Sequence, residues 1–435
     1  MLALKVGNCP CPLVSHCAGV LWQTAAQFVS HLIDAMWLYQ QGDGDESSAV
    51  IDHVVGKMAE RYSKGPRLLG RAVKRETIVA DLNRVFGTLM KIADGACPAE
   101  AGLDSREIRY GKWLAPARMD LAVTYRCNLK CGKCYVGERA VGPELATTEW
   151  IDIFGRLWAA GTPQIVFTGG EPTLRDDIVD LVSEADEFVT GLVTNGTRLA
   201  ELAAALRGAS LDYVQVTVES FDPRIHDRIT CAEGSHARTA AGIEKALGAG
   251  LAVVTNTTLT RANAASFGET VRWLHGLGVR IVACNTLICS GHGVEYRKEQ
   301  GLDGASLGGV LAAARRTAEE LGVALQWYSP TCWHQGMNPV ELGLGVKTCS
   351  AASHNMTIQP DGTVLPCQSW SDAVGNILKD EWAAIWRHPT CVKLRERRLL
   401  PARCRGCEYE SACGGACPLD PSPRTARREE KGAAV

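Results

Sequence analysis

The chain has 435 residues, of which 46% are hydrophobic and 22% are charged, and its formal net charge is −2. These values are ordinary for a globular protein of two or three domains, and they give no electrostatic reason to expect nucleic acid or an anionic membrane as a partner. No apolar run reaches the about 18 residues of a membrane span, and the first residues lack the pattern of a signal peptide. We therefore expect a cytoplasmic protein.

Cysteine is the unusual component of the chain, with 18 residues. In a reducing compartment such a number indicates metal binding or catalysis rather than disulfides. Free cysteine also serves as a small buried hydrophobic residue. The spacing of the cysteines therefore has to decide between these interpretations.

Residues 1–115 carry apolar residues at helical intervals, mainly over 21–41 and 67–92. From residue 119 onward, short apolar stretches rich in β-branched residues alternate with helical stretches such as 148–160, 237–249 and 264–277. The predicted strands cover residues 120–124, 164–168, 191–194, 213–218, 252–256 and 280–285. This alternation predicts βαβ units and a parallel sheet. Because six units fall short of the eight in a full barrel, we expect an open, partial (βα)6 TIM-like barrel.

From residue 323 the alternation stops, and Gly, Pro, Trp and Cys become frequent. The sequence Pro360-Asp361-Gly362 between two short apolar stretches predicts a hairpin turn. A loop-rich stretch of this kind has no large core, so its fold needs another source of stability such as a bound metal. We thus expect four segments: a helical region of unknown role (1–115), the barrel (116–322), a cysteine-rich extension (323–420) and a charged tail (421–435).

The first cysteine motif, Cys127-x3-Cys131-x2-Cys134, follows the first predicted strand directly. In a βα barrel the chemistry lies on loops at the carboxyl ends of strands. Three cysteines so close together can each bind one iron of an iron–sulfur cubane and leave the fourth iron without a protein ligand. Zinc is the alternative, since short cysteine spacings also bind it.

The second predicted strand runs into Gly169-Gly170-Glu171-Pro172. Two glycines allow a backbone to approach a ligand closely, and the carboxylate of Glu171 can hold an ammonium group through charge-assisted hydrogen bonds. Alone this stretch would be an ordinary turn. One strand after the cysteine motif, it indicates a ligand site.

Together these motifs resemble the radical S-adenosylmethionine (radical SAM) enzymes over residues 116–290. The resemblance implies that Cys127, Cys131 and Cys134 hold a [4Fe–4S] cluster whose open iron binds SAM. Reduction by an external donor such as flavodoxin or ferredoxin would cleave SAM to a 5′-deoxyadenosyl radical, which takes a hydrogen atom from the substrate. The protein would supply orientation and exclusion of solvent.

The same resemblance implies further contacts to SAM at the carboxyl ends of the strands. An aromatic residue after the last cysteine lies near the adenine in the family, and polar groups end the third and fourth strands. The implied residues are Tyr135, Gly169, Gly170, Glu171, Pro172, Asn195, Glu219 and Ser220. Capping of the following helix or turn is the alternative for the polar ones. At residues 230–231 this chain has Thr-Cys where the family commonly has Arg-Gly.

A second cysteine motif near the carboxyl end resembles the SPASM domain, an extension of some radical SAM enzymes that binds auxiliary iron–sulfur clusters. The chain matches six cysteine positions of that pattern and lacks the last one. The matching residues are Cys349, Cys367, Cys404, Cys407, Cys413 and Cys417. A zinc knuckle is the alternative interpretation.

The resemblance also divides these cysteines between two clusters. Cys349, Cys367 and Cys417 would help to hold auxiliary cluster I, for which Cys332 is the nearby candidate fourth ligand. The remaining three, at positions 404, 407 and 413, would hold cluster II. Its fourth ligand stays open: Asp420 could serve, or the cluster could keep an open iron or be absent. The other cysteines are expected to be mainly structural, although Cys231 and Cys289 fall near the active face.

Auxiliary clusters favour oxidative chemistry, because net oxidation after hydrogen abstraction requires an acceptor for a second electron. Most enzymes of this type modify peptides, so our first hypothesis is oxidative maturation of a ribosomally synthesised peptide or protein side chain. The alternative is a small-molecule substrate, of the tetrapyrrole or aminocyclitol type. A non-catalytic, metal-stapled scaffold is the third, and the two intact motifs argue against it.

Overall fold

Residues 113–139, 142–333, 336–401 and 404–420 are described by the computed structural model, together with Glu76 and Ala80, both helical. The predicted helix over 21–41, the rest of the helix predicted over 67–92, and the charged tail lie outside the described residues. The architecture below refers to the described part of the chain.

Six parallel strands form the centre of one sheet. They are β1 (Arg118–Thr124), β2 (Gln164–Gly169), β3 (Val189–Thr194), β4 (Tyr213–Thr217), β5 (Ala252–Leu259) and β6 (Ile281–Thr286). Each pairs with the next in chain order. All six fall where the sequence predicts them, and the sheet does not close on itself. The predicted partial (βα)6 barrel is therefore confirmed.

Helices follow the strands and cover the sheet. They are α1 (Thr147–Ala160), α2 (Ile178–Glu184), α3 (Leu199–Gly208), α4 (Pro223–Thr230), α5 (Ser235–Gly248), α6 (Phe267–Gly276), α7 (Gly293–Gln300) and α8 (Gly304–Leu321). In α1, Trp150, Ile153 and Leu157 recur at three- and four-residue intervals and are fully buried, which is the pattern of a helix face turned to a core. Strand β1 is buried on both faces from Met119 to its end, as expected of a central parallel strand.

Four further strands extend the sheet at both edges. Strand β7 (Ala324–Trp327), which the sequence analysis does not identify, pairs in parallel with β6. At the other edge β8 (Asn355–Ile358) pairs in parallel with β1, and β9 (Thr363–Leu365) and β10 (Gly375–Asn376) follow antiparallel. The predicted hairpin turn between β8 and β9 is confirmed, with Gly362 at φ +82°. The cysteine-rich segment is thus joined to the barrel through backbone hydrogen bonds.

Beyond the sheet, the carboxyl-terminal segment contains short helices connected by loops. These are α9 (Trp382–Trp386), α10 (Pro389–Arg395) and α11 (Glu410–Cys413). No helix in the described ranges has the length and apolar character needed to cross a bilayer.

Candidate active site

The cysteine loop, residues 125–135, leaves the carboxyl end of β1 and rests on the end of α4. The backbone N–H of Lys130 donates to the carbonyl of Thr230 at 3.2 Å, and that of Gly132 donates to Ile229 at 3.3 Å. The last carbonyls of a helix have no partner within the helix, so a neighbouring loop can satisfy them. These two bonds fix the loop against α4.

The three thiols of the loop lie within electrostatic range of one another. Burial raises the pKa of Cys127, and it raises the pKa of Cys131 to about 12. Metal binding as thiolate must therefore release protons. Among the described residues, no three His, Cys, Asp or Glu side chains are grouped to hold a single metal ion. A cluster of four irons makes a different demand, because its cysteines bind separate irons.

A buried ion pair connects the cysteine loop to the end of β4. The ammonium of Lys133, between Cys131 and Cys134 in the chain, lies 2.7 Å from Oε1 of Glu219, whose side chain is fully buried. Lys133 also donates to the hydroxyl of Thr258 at 3.0 Å. Burial alone would lower the pKa of Lys133, but the Glu219 carboxylate raises it above its ordinary value. The ammonium therefore stays charged inside the protein.

This polar network continues to the ends of β5 and β6. Oδ1 of Asn285 accepts from Nδ2 of Asn256 at 2.9 Å and from the hydroxyl of Thr258 at 3.5 Å. The remaining oxygen, Oδ1 of Asn256, is buried without a hydrogen-bond partner. Such an atom calls for a bound water or ligand. The sequence analysis identifies Glu219 as a candidate but not Lys133. The signal that could have identified Lys133 is its position between two cysteines of the motif.

Glu171 joins the carboxyl ends of β2 and β3. Its Oε1 accepts from the hydroxyl of Thr194 at 2.7 Å and from both the N–H and the hydroxyl of Thr173, and its Oε2 accepts from the N–H of Asn195 at 2.7 Å. Burial raises the pKa of Glu171, and these donors act against that increase. A carboxylate offers about four acceptor positions, so Oε2 can accept a further donor such as an ammonium group.

Gly169 and Gly170 bring the end of β2 against the chain that leaves β1. A Cβ on Gly169, whose φ is +139°, would overlap the carbonyl oxygen of Thr124, and one on Gly170 would overlap that of Arg126. The N–H of Gly170 donates to Thr124 at 2.8 Å. The predicted approach of these glycines to a ligand stays a prediction, and in the structure they also allow a close approach to the backbone of the chain after β1. The glycines thereby hold Glu171 beside the cysteine loop.

The other predicted SAM contacts differ in their surroundings. Pro172 begins the short 3-10 turn Pro172–Leu174. The amide of Asn195 donates to Oδ1 of Asn128 at 2.8 Å, which ties β3 to the cysteine loop. The hydroxyl of Ser220 accepts from the N–H of Asp222 at 3.1 Å, as the capping alternative expects. Glu171, Asn195 and the cysteine loop are thus brought together.

Tyr135 connects the cysteine loop to the carboxyl-terminal segment. Its hydroxyl donates to Oε1 of Gln368, and burial raises its pKa above the ordinary value. Tyr135 follows Cys134 in the chain, and Gln368 follows Cys367. The residues next to a predicted catalytic ligand and a predicted auxiliary ligand are therefore in contact.

The carboxyl-terminal cysteines fall into two places. Cys367 and Cys417 each interact electrostatically with Cys349, and burial raises the pKa of both to about 12. Cys332 lies elsewhere: its hydrogen bond to Cys413 lowers the pKa of the Cys413 thiol below its ordinary value. The sequence analysis groups Cys332 with Cys349, whereas the structure puts it beside a cysteine of the other group.

Cys404 and Cys407 lie on the loop that leads into α11. The N–H of Cys407 donates to the carbonyl of Cys404 at 3.2 Å, and the Cys407 sulfur accepts from the N–H of Tyr409 at 3.4 Å. The first turn of α11 then brings Cys413 toward the same side of the segment as Cys332. The loop is short enough for all three motif cysteines to serve one site.

Cys289, in the loop between β6 and α7, belongs to a cluster that sequence reasoning missed. Nη1 of Arg297 lies 2.6 Å from the sulfur of Cys289 and 2.9 Å from Oδ1 of Asp420. The ion pair between Arg297 and Asp420 joins the barrel to the end of the cysteine-rich segment. No spacing rule includes Cys289, so only its place after β6 hinted at a role.

At the departure from the family pattern, Cys231 ends α4 in the left-handed conformation, with φ +53°. Glycine is the usual residue in that conformation because it has no Cβ. The chain therefore keeps the backbone geometry of a glycine with a cysteine that is exposed to solvent.

These residues fit a [4Fe–4S] cluster with SAM at its open iron. The donor set is three thiols on one loop, and thiolates are the ligands that such clusters take. The partnerless oxygen of Asn256 lies in the polar network that Lys133 of this loop joins, and Glu171, which has free acceptor capacity, lies beside the loop. They provide polar positions for an amino acid cofactor.

Family models match both the barrel and the carboxyl-terminal cysteine-rich segment. A model of the radical SAM superfamily matches residues 121–274, and a model of the SPASM iron–sulfur cluster-binding domain matches residues 349–408. The PqqA peptide cyclase of Methylocella silvestris is 28% identical over 323 residues, which are 70% of this chain and 83% of that protein. That of Rhizobium meliloti is 26% identical over 318 residues, 70% of this chain and 82% of that protein.

Two solved structures share the fold at low identity. Streptococcus suis SuiB bound to its precursor peptide SuiA aligns with a TM-score of 0.57 at 17% identity, covering 86% of this chain and 85% of that one. The anSMEcpe structure with bound AdoMet aligns with a TM-score of 0.53 at 16% identity, covering 69% and 88%. The chain therefore contains a radical SAM domain and a SPASM domain, and it is an enzyme whose cofactors are a [4Fe–4S] cluster with SAM and auxiliary iron–sulfur clusters.

Proposed function

We propose that this enzyme oxidises a side chain of a ribosomally synthesised peptide or protein and so acts as a maturase. Two relatives bear the name PqqA peptide cyclase, and SuiB has been solved with its precursor peptide. The observation that carries the oxidative part of the proposal is the contact of Tyr135 with Gln368. It joins the cysteine loop to the segment with the auxiliary cysteines.

In this proposal Cys127, Cys131 and Cys134 hold the catalytic cluster. When bound, that cluster and SAM supply hydrogen-atom abstraction, and the auxiliary clusters supply electron transfer. The substrate loses one hydrogen atom, then one electron and one proton, to reach a closed-shell product. Because two removals are needed, redox groups on both sides of the Tyr135 contact suit an oxidation better than an isomerisation.

The chain's own side chains hold the site in place. The ion pair of Lys133 with Glu219 fixes the cysteine loop over the ends of β4 and β5. Glu171, held by donors from β3, offers its remaining acceptor position to the ammonium group of SAM. Groups held by packed strands keep their geometry without reorganisation during the reaction.

We extend the proposal to an external one-electron donor, such as flavodoxin or ferredoxin, and to the cytoplasm. Cluster ligands must be reduced thiols, and the chain carries 18 cysteines. A reducing compartment keeps such thiols available.

The test is an anaerobic reaction of the reconstituted protein with SAM, a reductant and synthetic peptides that correspond to any short reading frames found beside its gene. The expected result is 5′-deoxyadenosine together with a peptide whose mass has fallen by two hydrogen atoms per modification. Tandem mass spectrometry then locates the altered residue. The matched control is Cys127→Ala, which should yield neither product.

The proposal of a peptide substrate is overturned if the peptide stays unchanged while a tetrapyrrole or an aminocyclitol is oxidised in the same assay. Formation of 5′-deoxyadenosine in that experiment would leave the family assignment intact. The two conclusions therefore fail separately.

A further inference from the structure

Three of the auxiliary cysteines converge at the edge of the barrel next to β8. The N–H of Ala352 donates to the carbonyl of Pro366 at 2.8 Å, so the chain after Cys349 lies against the residue before Cys367. Cys349 also lines a pocket with the two residues that flank Cys417. We call Cys349, Cys367 and Cys417 the barrel-side group.

Cys289 adjoins this group from the barrel. Arg297 contacts both the sulfur of Cys289, at 2.6 Å, and Oδ1 of Asp420, at 2.9 Å. The N–H of Asp420 in turn donates to the carbonyl of Cys417 at 3.0 Å. Cys289 and Cys417 also interact electrostatically. The loop after β6 therefore brings a fourth thiol to the barrel-side group.

Cys332 lies with the other motif cysteines. The sulfur of Cys413 is 3.3 Å from the carbonyl oxygen of Thr331, and the rings of Trp333 and Tyr409 are 5.3 Å apart. These contacts on both sides of Cys332 hold it against the segment that carries Cys407 and Cys413. We call Cys332, Cys404, Cys407 and Cys413 the terminal group.

We propose that Cys289 completes the barrel-side group and Cys332 completes the terminal group, which gives two sites of four thiolates each. Four cysteines are the full ligand set of a [4Fe–4S] cluster. The missing last cysteine of the SPASM pattern is thus replaced by an upstream residue, and Cys332 changes cluster relative to the sequence-based assignment. The inference concerns ligands only and does not depend on the identity of the substrate.

The test measures iron in a variant that cannot hold the catalytic cluster, with Cys127, Cys131 and Cys134 replaced by Ala. This background should retain about eight irons, by the stoichiometry of two [4Fe–4S] clusters. Adding Cys289→Ser or Cys332→Ser should lower the content to about four, or convert one cluster to a three-iron form visible by electron paramagnetic resonance. Cys231→Ser, an exposed cysteine outside both groups, should change nothing.

Double substitutions identify which cluster each residue serves. Cys332→Ser combined with Cys413→Ser should cost no more iron than either alone, whereas Cys332→Ser combined with Cys289→Ser should remove nearly all of it. The proposal is overturned if both single variants keep about eight irons, or if Cys332→Ser is additive with Cys413→Ser but not with Cys349→Ser.

Loss of folding is separated from loss of a ligand by making Cys289→Ser and Cys332→Ser in the otherwise unchanged chain. Each should still hold the catalytic cluster and show the change in its electron paramagnetic resonance spectrum on addition of SAM. A folded barrel with unchanged auxiliary iron would again contradict the proposal. None of these measurements requires a peptide substrate.

Discussion

The two cysteine-bearing regions of the molecule are held in place by different means. The cysteine loop of the barrel is fixed by side chains from β3, β4 and β5, including the buried ion pair of Lys133 with Glu219. The carboxyl-terminal cysteines of the SPASM pattern lie on loops, with Cys413 at the end of α11, among strands of two to four residues and helices of four to seven. Two short strands, β7 and β8, join that segment to the parallel sheet at opposite sides of the barrel strands.

This difference indicates which of the two regions needs bound metal to keep its structure. A parallel sheet covered by helices buries a large apolar core, so the strand ends and the loop on them are positioned before any iron binds. A loop-rich segment with little core depends on a staple, and a structural metal site contributes folding free energy outright. We therefore expect the catalytic loop to survive iron removal and the carboxyl-terminal loops to loosen.

The largest expected effect is that of iron removal on local opening. Hydrogen–deuterium exchange of the iron-free protein should show residues 404–417 without protection, because local stability there depends on cluster ligands. Amides of β1 and β4 should exchange as slowly as in the reconstituted protein. If β1 and β4 lost protection to the same extent, the two regions would not differ in their dependence on iron, contrary to this prediction.

The next effect concerns the ion pair under the cysteine loop. Lys133→Met removes the partner of a buried carboxylate and should lower the free energy of unfolding by about 3–5 kcal/mol. The matched control is Lys130→Met, an exposed lysine of the same loop, which should change it by less than about 0.5 kcal/mol. Denaturant unfolding of the iron-free protein measures both.

A small effect of Lys133→Met, similar to that of Lys130→Met, would mean that the loop is not held by this pair. The double variant Lys133→Met with Glu219→Met sharpens the result. It removes both charges and should recover much of the lost stability, because no unpaired buried charge remains.

The smallest effect is a contrast between two glycines. In Gly170→Ala the new Cβ would overlap carbonyl oxygens of the chain after β1, and we expect a loss of about 1–3 kcal/mol. Gly155→Ala, in α1, places its new Cβ in open space and should instead stabilise the protein by about 1 kcal/mol. Thermal unfolding of both variants measures these changes in stability. If Gly170→Ala left the stability unchanged, the close approach of Gly170 to the chain after β1 would be contradicted.

The sequence predicts the six barrel strands because each is a short stretch rich in apolar and β-branched residues that alternates with helical stretches. It misses β7, whose exposed edge position leaves a short stretch of mixed polarity. Motif spacing predicts the roles proposed for Cys127, Cys131, Cys134 and Glu171. Lys133 and Cys289 are not predicted in this way, because their partners Glu219 and Asp420 are brought to them only by the folding of distant strands and loops.

The measurement that tests the account most directly is 5′-deoxyadenosine formation and iron content of the variant with Cys127, Cys131 and Cys134 replaced by Ala. We predict no 5′-deoxyadenosine, a loss of about four irons relative to the unchanged protein and retention of about eight. Continued SAM cleavage, or loss of all iron at once, would contradict the assignment of a catalytic cluster on the barrel loop distinct from the auxiliary clusters.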